Sequence, residues 1–509
     1  MTYAAIFACF VAIALSGLRW LRVAQREHYL PGSCSRFAKR WWFGLGFNTL
    51  LAVGIGVNVL LSAVSPFFAF LVAVPVAVGP FGLKLTGTAP GPVAWTRRLR
   101  TLAGVWAALN VAVIAVGLLL GFGAFLAAVA AAATPVLVDV ALKITRPIEA
   151  RNAQQFVDSA TKKLRSINPT VIAITGSYGK TGTKGYVAHL VEASRTVLPT
   201  PASFNNSAGL ARAINENLAP GTEVFVAEMG TYGPGEIADL CSWVRPSIAA
   251  ITAIGPVHLE RMKDEATIAK AKAEIFTTAE TCVLNVDSEH LAPLVDELRA
   301  QGKKVIRCAS LDATADVQVA DEGDERIVRI GGVELTRLAP TDANPTNVAV
   351  AIALAREVGV PDDVIARRLG DLPTASNRRS IATGSTGATF IDDTYNSNPA
   401  GAAAALVTLQ HQATATNAAR VALVTPGMVE LGERQFEENR KFAAAASEVC
   451  TDIVIIGATN RKALVAGAHE GRARVVLVDD RPGATAWVKE NTNAGDVVLF
   501  ENDLPDHFP

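Results

Sequence analysis

Cysteine, methionine and tyrosine are all scarce in this chain, at 6, 4 and 6 of 509 residues. The six cysteines (Cys9, Cys34, Cys241, Cys282, Cys308 and Cys450) are scattered, with no CxxC pair and no ligand spacing. That excludes a disulfide framework and a structural zinc site, and it fits a reduced cytosol. Charge of one sign is also missing: 47 Lys and Arg stand against 47 Asp and Glu, a formal net charge of zero. Nothing in that balance suggests a nucleic-acid partner. Acidic residues are few before about residue 142, and beyond Lys143 the chain takes on the mixed composition of a soluble α/β protein. No basic leader precedes the first apolar run, whose arginines follow it, so it is a poor signal peptide.

What the first part does have is long apolar runs. Five stand out, at about residues 3–18, 43–61, 66–83, 102–120 and 123–142. Each approaches the roughly 20 residues that a helix needs to cross a bilayer. The third holds Pro75 and Pro80, which spanning helices tolerate. Arg19, Arg22, Arg26, Arg36, Lys39 and Arg40 follow the first run, and Lys84, Arg97, Arg98 and Arg100 follow the third. Lys143, Arg146 and Arg151 follow the fifth, whereas the connections after the second and fourth carry no charge. By the positive-inside rule the basic connections are cytoplasmic, the amino terminus is outside, and everything beyond Lys143 is inside. The expectation is a multi-pass protein of the inner membrane with cytoplasmic soluble domains. The competing reading of the runs is a buried all-helical soluble domain.

The soluble part is organised around Val171-Ile-Ala-Ile-Thr-Gly-Ser-Tyr-Gly-Lys-Thr-Gly-Thr-Lys184. An apolar strand, a turn bracketed by Gly176 and Gly179, then Lys180, Thr181 and a helix-compatible segment spell a phosphate cradle. Gly176, Ser177 and Gly179 would bring backbone to the phosphates, Lys180 supplies a cation, and the Thr181 hydroxyl can reach Mg²⁺. The loop is two residues shorter between its glycines than the usual P-loop pattern. Strands over about 224–227 and 248–254 end in Glu228 and in Gly255-Pro-Val-His258. Helices and strands alternate, with polar residues at strand ends, which predicts a doubly wound parallel sheet with its ligand beyond the carboxyl ends. Residues 310–337 read as short polar hairpins, 344–357 as a helix and 371–378 as a linker. Strands restart at 390–391, 421–424, 453–456 and 475–478, a second α/β domain.

Glu228 suits a hard cation, although a helix-capping acid is written the same way. His258 can ligate a metal, bind a phosphate or be a hydrogen-bonded core histidine. Lys272 taken alone reads as a solvated helix lysine.

In one order along the chain stand Thr175-Gly-Ser-Tyr-Gly-Lys-Thr181, Phe204-Asn-Asn-Ser-Ala-Gly209, Ala227-Glu-Met-Gly230 and Gly233-Pro-Gly-Glu-Ile-Ala238. Ala253-Ile-Gly-Pro-Val-His-Leu-Glu260, Ala271-Lys-Ala-Glu-Ile-Phe276 and Leu284-Asn-Val-Asp287 follow. Asp392-Asp-Thr-Tyr-Asn-Ser-Asn-Pro399 and Pro426-Gly-Met-Val-Glu-Leu-Gly-Glu433 complete the set. With these stretches the chain from Val171 to about Glu438 resembles the ATP-dependent Mur ligases, nearest to the members that add D-alanyl-D-alanine.

The resemblance implies an ATP-dependent ligase that forms an amide bond through an acyl phosphate, with ATP and Mg²⁺ as cofactors. Its partners would be an envelope precursor, lipid-linked or not, and an amino acid or dipeptide. It implies that Lys180 binds the β- and γ-phosphates and that Thr181 and Glu228 hold one Mg²⁺. His258 would serve a second metal, and Lys272 resembles the lysine that is carbamylated in these enzymes, with Lys270 as the weaker candidate. Asn205 and Asn206 match a substrate-side loop, Asn344 the adenine contact, Arg378 the arginine opening the last domain, and Asp392 a nucleotide-contacting acid. Where the family has Gly-x-His-Asn, this chain has Thr341-Asp-Ala-Asn344. On this resemblance the five apolar runs would stand in place of the family's soluble amino-terminal domain, which holds the UDP end of the substrate.

Three parts are therefore expected. They are a transmembrane helical domain over 1–150, a P-loop-type central ATP-binding domain over 151–375, and a Rossmann-like carboxy-terminal domain over 376–509. Poly-glutamate or amidation chemistry on the same machinery is an alternative. So is a membrane transporter or scaffold with a regulatory nucleotide domain, but only Asp139 is ionisable within a run.

Overall fold

The computed structural model describes residues 1–44, 46–87, 91–257, 259–341, 343–373, 380–394 and 398–509. His258 and Arg378 fall outside these ranges. The apolar first third folds as helices α1 (Thr2–Arg26), α2 (Ser33–Gly44), α3 (Gly46–Leu61), α4 (Phe67–Val78), α5 (Arg97–Leu119), α6 (Gly123–Ala132) and α7 (Thr134–Ile167). Alanine, valine and tryptophan side chains of α1, α4, α5 and α6 share one core, and many large apolar side chains face outward.

Two of these helices, α1 and α5, are each long and apolar enough to cross a membrane. Two further stretches would count only as bent pairs, α2 with α3 at 109° and α6 with α7 at 78°. The third apolar run yields the 12-residue α4, about 18 Å of helix against a hydrocarbon core of about 30 Å. Helix α7 continues for 34 residues, and its Val157, Ala160 and Leu164 pack into the core of the following α/β unit.

That unit is a nine-stranded sheet ordered β2-β3-β1-β4-β5-β6-β7-β8-β9. Its strands are β1 (Thr170–Thr175), β2 (Val197–Pro199), β3 (Val224–Glu228), β4 (Ile248–Ile251), β5 (Thr281–Asn285), β6 (Lys304–Ala309), β7 (Val317–Glu322), β8 (Glu325–Ile330) and β9 (Val333–Leu338). Strands β1 to β7 pair in parallel, and β7, β8 and β9 form antiparallel hairpins. Strand β1 is buried on both faces, as its continuous apolar run requires. Helix Pro345–Glu357 buries almost its whole length against the sheet. Its first turn is capped by Asn344, whose Oδ1 accepts from Asn347 N at 3.1 Å.

A six-stranded sheet forms the last unit, in the order β10-β11-β15-β12-β13-β14. Its strands are β10 (Ser380–Thr383), β11 (Thr389–Asp393), β12 (Val421–Thr425), β13 (Asp452–Ile456), β14 (Arg474–Val478) and β15 (Val497–Glu501). All pairs are parallel except β10 with β11. Strand β15, last in the chain, lies between β11 and β12.

The tail beyond β15 ties the helical part to the second sheet unit. Asp506 pairs with Arg22 of α1 at 2.5 Å, and His507 Nε2 lies 3.0 Å from Glu27 Oε1. Trp41 Nε1 donates to the His507 carbonyl at 2.9 Å, and Phe508 stands edge-on to Phe37 in the helical core. One residue further, the Pro509 carbonyl accepts from Ala458 N and Thr459 Oγ1 of the second sheet unit.

Candidate active site

At the carboxyl end of β1 the chain turns through Gly176 (φ 157°) and Gly179 (φ 80°) before helix α8 (Lys180–Glu192) begins. A Cβ on Gly176 would lie 1.9 Å from Thr252 Oγ1, and one on Gly179 would lie 2.5 Å from the Asn347 amide. Glycine is therefore required at both bends for steric as well as conformational reasons. Ser177 fixes the loop to the next strand: its N donates to the Ala253 carbonyl at 2.7 Å and its Oγ to the Gly255 carbonyl at 3.1 Å. Lys180 is the first residue of α8, and its Nζ reaches back over the loop to the Gly176 carbonyl at 2.7 Å. The loop's backbone and the Lys180 cation thus share one helix N-terminus, the geometry that receives phosphate.

Glu228, the last residue of β3, is 1 % exposed, and both of its carboxylate oxygens are engaged. Thr181 Oγ1 donates to Oε2 at 3.1 Å and Lys184 Nζ at 2.9 Å, while Asn205 Nδ2 donates to Oε1 at 3.1 Å. Parallel pairing of β1 with β3 sets Ile174 beside Glu228, which brings the carboxylate next to the phosphate loop. Asn206 caps helix α9 (Ser207–Asn217), its Oδ1 accepting from Gly209 N at 2.9 Å.

Lys272 sits in helix Glu265–Ala273 and is 2 % exposed, whereas Lys270 on the same helix is exposed. Burial, and after it the neighbouring Lys180 charge, hold the Lys272 amine well below the usual lysine value. A neutral amine is the form that adds CO₂.

These residues converge on one cleft of about 470 Å³, whose lining includes Gly176 to Thr181, Asn205, Asn206, Glu228 and Lys272. Its other walls come from all three parts of the molecule: Arg26, Glu27 and His28 at the end of α1, Tyr232 and Arg261 of the central unit, and Thr394, Glu430 and the tail from Asn502 to Pro505 of the second sheet unit. Asn344 and Asp392 are not in the lining. Asn344 is the exposed cap already described, and Asp392 Oδ1 accepts from Thr394 N and Oγ1 at 3.1 and 2.7 Å. His258 and Arg378 lie outside the described residues, but Val257, next to the histidine, lines the cleft.

For a divalent cation the chain offers one buried carboxylate and one hydroxyl, 3.1 Å apart, at the phosphate loop. No group of three His, Cys, Asp or Glu side chains gathers among the described residues. Such a sparse oxygen set fits Mg²⁺, which keeps waters and takes phosphate oxygens alongside one or two carboxylates.

Lys184 carries no mark in the sequence beyond standing one helical turn after Lys180. Only the fold reveals Arg26, Glu27, His28 and the tail as walls, because they lie far along the chain from the loop they face.

Residues 174–355 match the family model described as the Mur ligase middle domain, and residues 377–501 match that of the Mur ligase, glutamate ligase domain. The UDP-N-acetylmuramoyl-tripeptide–D-alanyl-D-alanine ligase of Mycobacterium tuberculosis is 30 % identical over 367 residues, covering 65 % of this chain and 70 % of the relative. The enzyme of the same name from Bacillus subtilis is 29 % identical over 348 residues, with 66 % and 74 % covered. Among solved structures, MurF from Acinetobacter baumannii aligns with a TM-score of 0.59 at 22 % identity, covering 69 % of this chain and 77 % of that one. MurF from Thermotoga maritima in complex with ADP aligns with a TM-score of 0.55 at 23 % identity, over 69 % and 80 %. Helices α1 to α7 precede the residues that either family model matches.

Proposed function

The chain belongs to the Mur ligase family, and on that premise we propose that it uses ATP to join D-alanyl-D-alanine to the peptide carboxylate of a peptidoglycan precursor. The observation that carries this reading is the buried Glu228 carboxylate held against Thr181 at the head of the phosphate loop, in a cleft that also holds Lys272. The names of the curated relatives supply the two substrates.

Backbone N–H groups after Gly176 and the Lys180 ammonium bind the β- and γ-phosphates of ATP. Thr181 and Glu228 would hold Mg²⁺, and His258 with carbamylated Lys272 a second ion. When bound, the metal offsets the charge that builds on the transferring phosphoryl group. Asn205 keeps the Glu228 carboxylate oriented, and Asn206 faces the substrate from the start of α9. Asn344, Arg378 and Asp392 are assigned to the nucleotide's far end.

The acceptor carboxylate attacks the γ-phosphorus and breaks its bond to ADP, which gives an acyl phosphate. The amine of the dipeptide then attacks the acyl carbon, releases phosphate and a proton, and leaves the amide. Positioning by the loop and electrostatic stabilisation by Lys180 carry most of the rate. Walls contributed by all three parts exclude water from an intermediate that hydrolysis would waste.

The ligase works at the cytoplasmic face of the membrane, with helices from α1 onward as a multi-pass anchor and the amino terminus outside. Contacts between the basic connections and the catalytic units support this side. Arg40 donates to Glu260 at 2.6 Å, and Lys84 lies 4.0 Å from Asp480. The acceptor is a precursor presented at that surface, lipid-linked in the preferred form, because confinement there raises its effective concentration. Phosphate release from ATP that requires both acceptor and dipeptide tests the reaction. Release with ATP alone at the same rate would overturn it.

A further inference from the structure

Helix α1 ends at the ligation cleft, and its end meets an arginine with one buried donor that the fold leaves without an acceptor. Arg26, Glu27 and His28 line one wall, with Tyr232 and Arg261 of the central unit beside them. His28 stacks on the Tyr232 ring with centroids 5.8 Å apart, and the Arg261 guanidinium lies 4.8 Å from the centre of the same ring. That contact pre-orients the Arg261 guanidinium.

The pairing of these arginines is incomplete. Arg261 Nη2 is 3.9 Å from Glu27 Oε2 and 3.6 Å from Glu430 Oε1, both beyond hydrogen-bond length, and its Nη1 is buried with no acceptor. Glu27 is already occupied, by Arg36 Nη2 at 2.9 Å and by His507 Nε2 at 3.0 Å. Arg26 gives one Nη2 bond to the Gly91 carbonyl, and its Nε is also buried without an acceptor. Two guanidiniums, one from the helical part and one from the central domain, therefore line the same cleft, each with one buried N–H that no protein group accepts. Native structures seldom leave such donors orphaned unless a water or an ion completes them. A phosphate oxygen pair is the acceptor that matches a planar guanidinium fork.

Resting on the ligase reading above, we infer that Arg26 and Arg261 form a subsite for the diphosphate of the acceptor. The phosphates of ATP have their own cradle at Gly176 to Thr181. The acceptor named for the curated relatives is a UDP-linked muramoyl peptide, which carries a diphosphate at the end away from its reacting carboxylate. Here that end runs past the last turn of α1. From residue 18, the end of the first apolar run, to Arg26 is eight residues, about 12 Å of helix. A diphosphate in this subsite lies within reach of the membrane surface, where a lipid-linked acceptor would present it. A nucleotide diphosphate offers the same chemistry.

The test uses the full chain in lipid nanodiscs with ADP saturating the phosphate loop. Inorganic diphosphate is titrated in by calorimetry against wild type, Arg26→Gln, Arg261→Gln and Arg261→Lys. The expected result is binding to wild type that each glutamine variant weakens about tenfold or more, the worth of a charge-assisted hydrogen bond, with Arg261→Lys in between. Steady-state kinetics then compare one muropeptide in lipid-diphosphate, nucleotide-diphosphate and phosphate-free form. The KM advantage of the phosphate-bearing forms over the phosphate-free form is expected to collapse to about twofold in the glutamine variants. The lower KM of the two phosphate-bearing forms identifies the natural source, and either order supports the subsite. No binding of diphosphate beyond the ADP site, or binding unchanged in the variants, would overturn the inference. So would an equal rise in KM for all three acceptors, which is what arginines that merely bridge Glu27 and Glu430 would give. Absence of ligation with every acceptor would sink the ligase reading instead, and the calorimetry would still decide the subsite.

Discussion

Lys184 donates to the Glu228 carboxylate at 2.9 Å, and the two side chains are 6 % and 2 % exposed. The pair fixes the carboxylate at the mouth of the phosphate loop. Removing one partner of a buried pair strands the other charge and costs about 3–5 kcal/mol. Lys184→Met is therefore expected to destabilise the central unit by about that amount, and Lys184→Met with Glu228→Gln to recover most of it. Denaturant unfolding of the two single variants and the double variant measures the cycle. Additive losses would show that the pair does not hold the fold.

Lys180 spans the loop to the Gly176 carbonyl, and its side chain is not part of the hydrophobic core. Lys180→Ala should fold and insert normally yet lose ATP-dependent phosphate release. Turnover is measured beside thermal unfolding of the same preparation. Activity above a small fraction of wild type would remove Lys180 from phosphate binding.

Lys272 is buried beside Lys180 with its amine held below the usual value, the neutral form that the proposed carbamate needs. Lys272→Ala should be inactive, while Lys272→Glu or short carboxylic acids added to the alanine variant restore part of the rate, since magnesium needs an anionic oxygen. Wild-type activity should fall in CO₂-stripped buffer and return with bicarbonate. Lys270→Ala should behave as wild type, its side chain being exposed. Full activity in Lys272→Ala would end the carbamate assignment.

His507 docks the tail on α1 through Glu27, and burial lowers its pKa below the ordinary histidine value despite that carboxylate. The folded state thus binds its proton less readily than the unfolded chain, whose histidine titrates near 6.5. The stabilisation is fully present above that pH and is lost as pH falls below it. Tail docking, followed by hydrogen exchange of the backbone from Asn502 to Phe508, should loosen as the pH falls below about 6.5. His507→Gln should flatten that dependence. A wild-type tail whose protection does not fall on acidification would contradict it.

Much of this architecture is legible in the sequence. Local signals suffice where one short segment carries the whole feature. The apolar run ending in glycines and Lys180 marks strand, loop and helix together, and β3 ends at Glu228 as the pattern says. The polar stretch from about 310 to 337 is the antiparallel edge β7 to β9. Long-range placement is what the sequence conceals. Strand β15 gives no sign that it inserts between β11 and β12, since nothing local sets strand order. Apolar runs mark residues 43–61 and 66–83, but hydropathy does not register the 109° bend between α2 and α3 or the early end of α4 at Val78. The walls of the cleft made by Arg26 to His28 and by the tail depend on contacts 466 to 484 residues apart, such as Trp41 with His507 and Arg22 with Asp506.

On the proposed route, phosphate from ATP passes through the acceptor carboxylate before it is released. An acceptor labelled with ¹⁸O in the reacting carboxylate, incubated with ATP and D-alanyl-D-alanine, tests this directly by mass spectrometry of the phosphate and the product. Attack on the γ-phosphorus moves one carboxylate oxygen onto the transferred group, so each phosphate released with an amide should carry one ¹⁸O. Unlabelled phosphate, or amide formed without ATP cleavage, would contradict it.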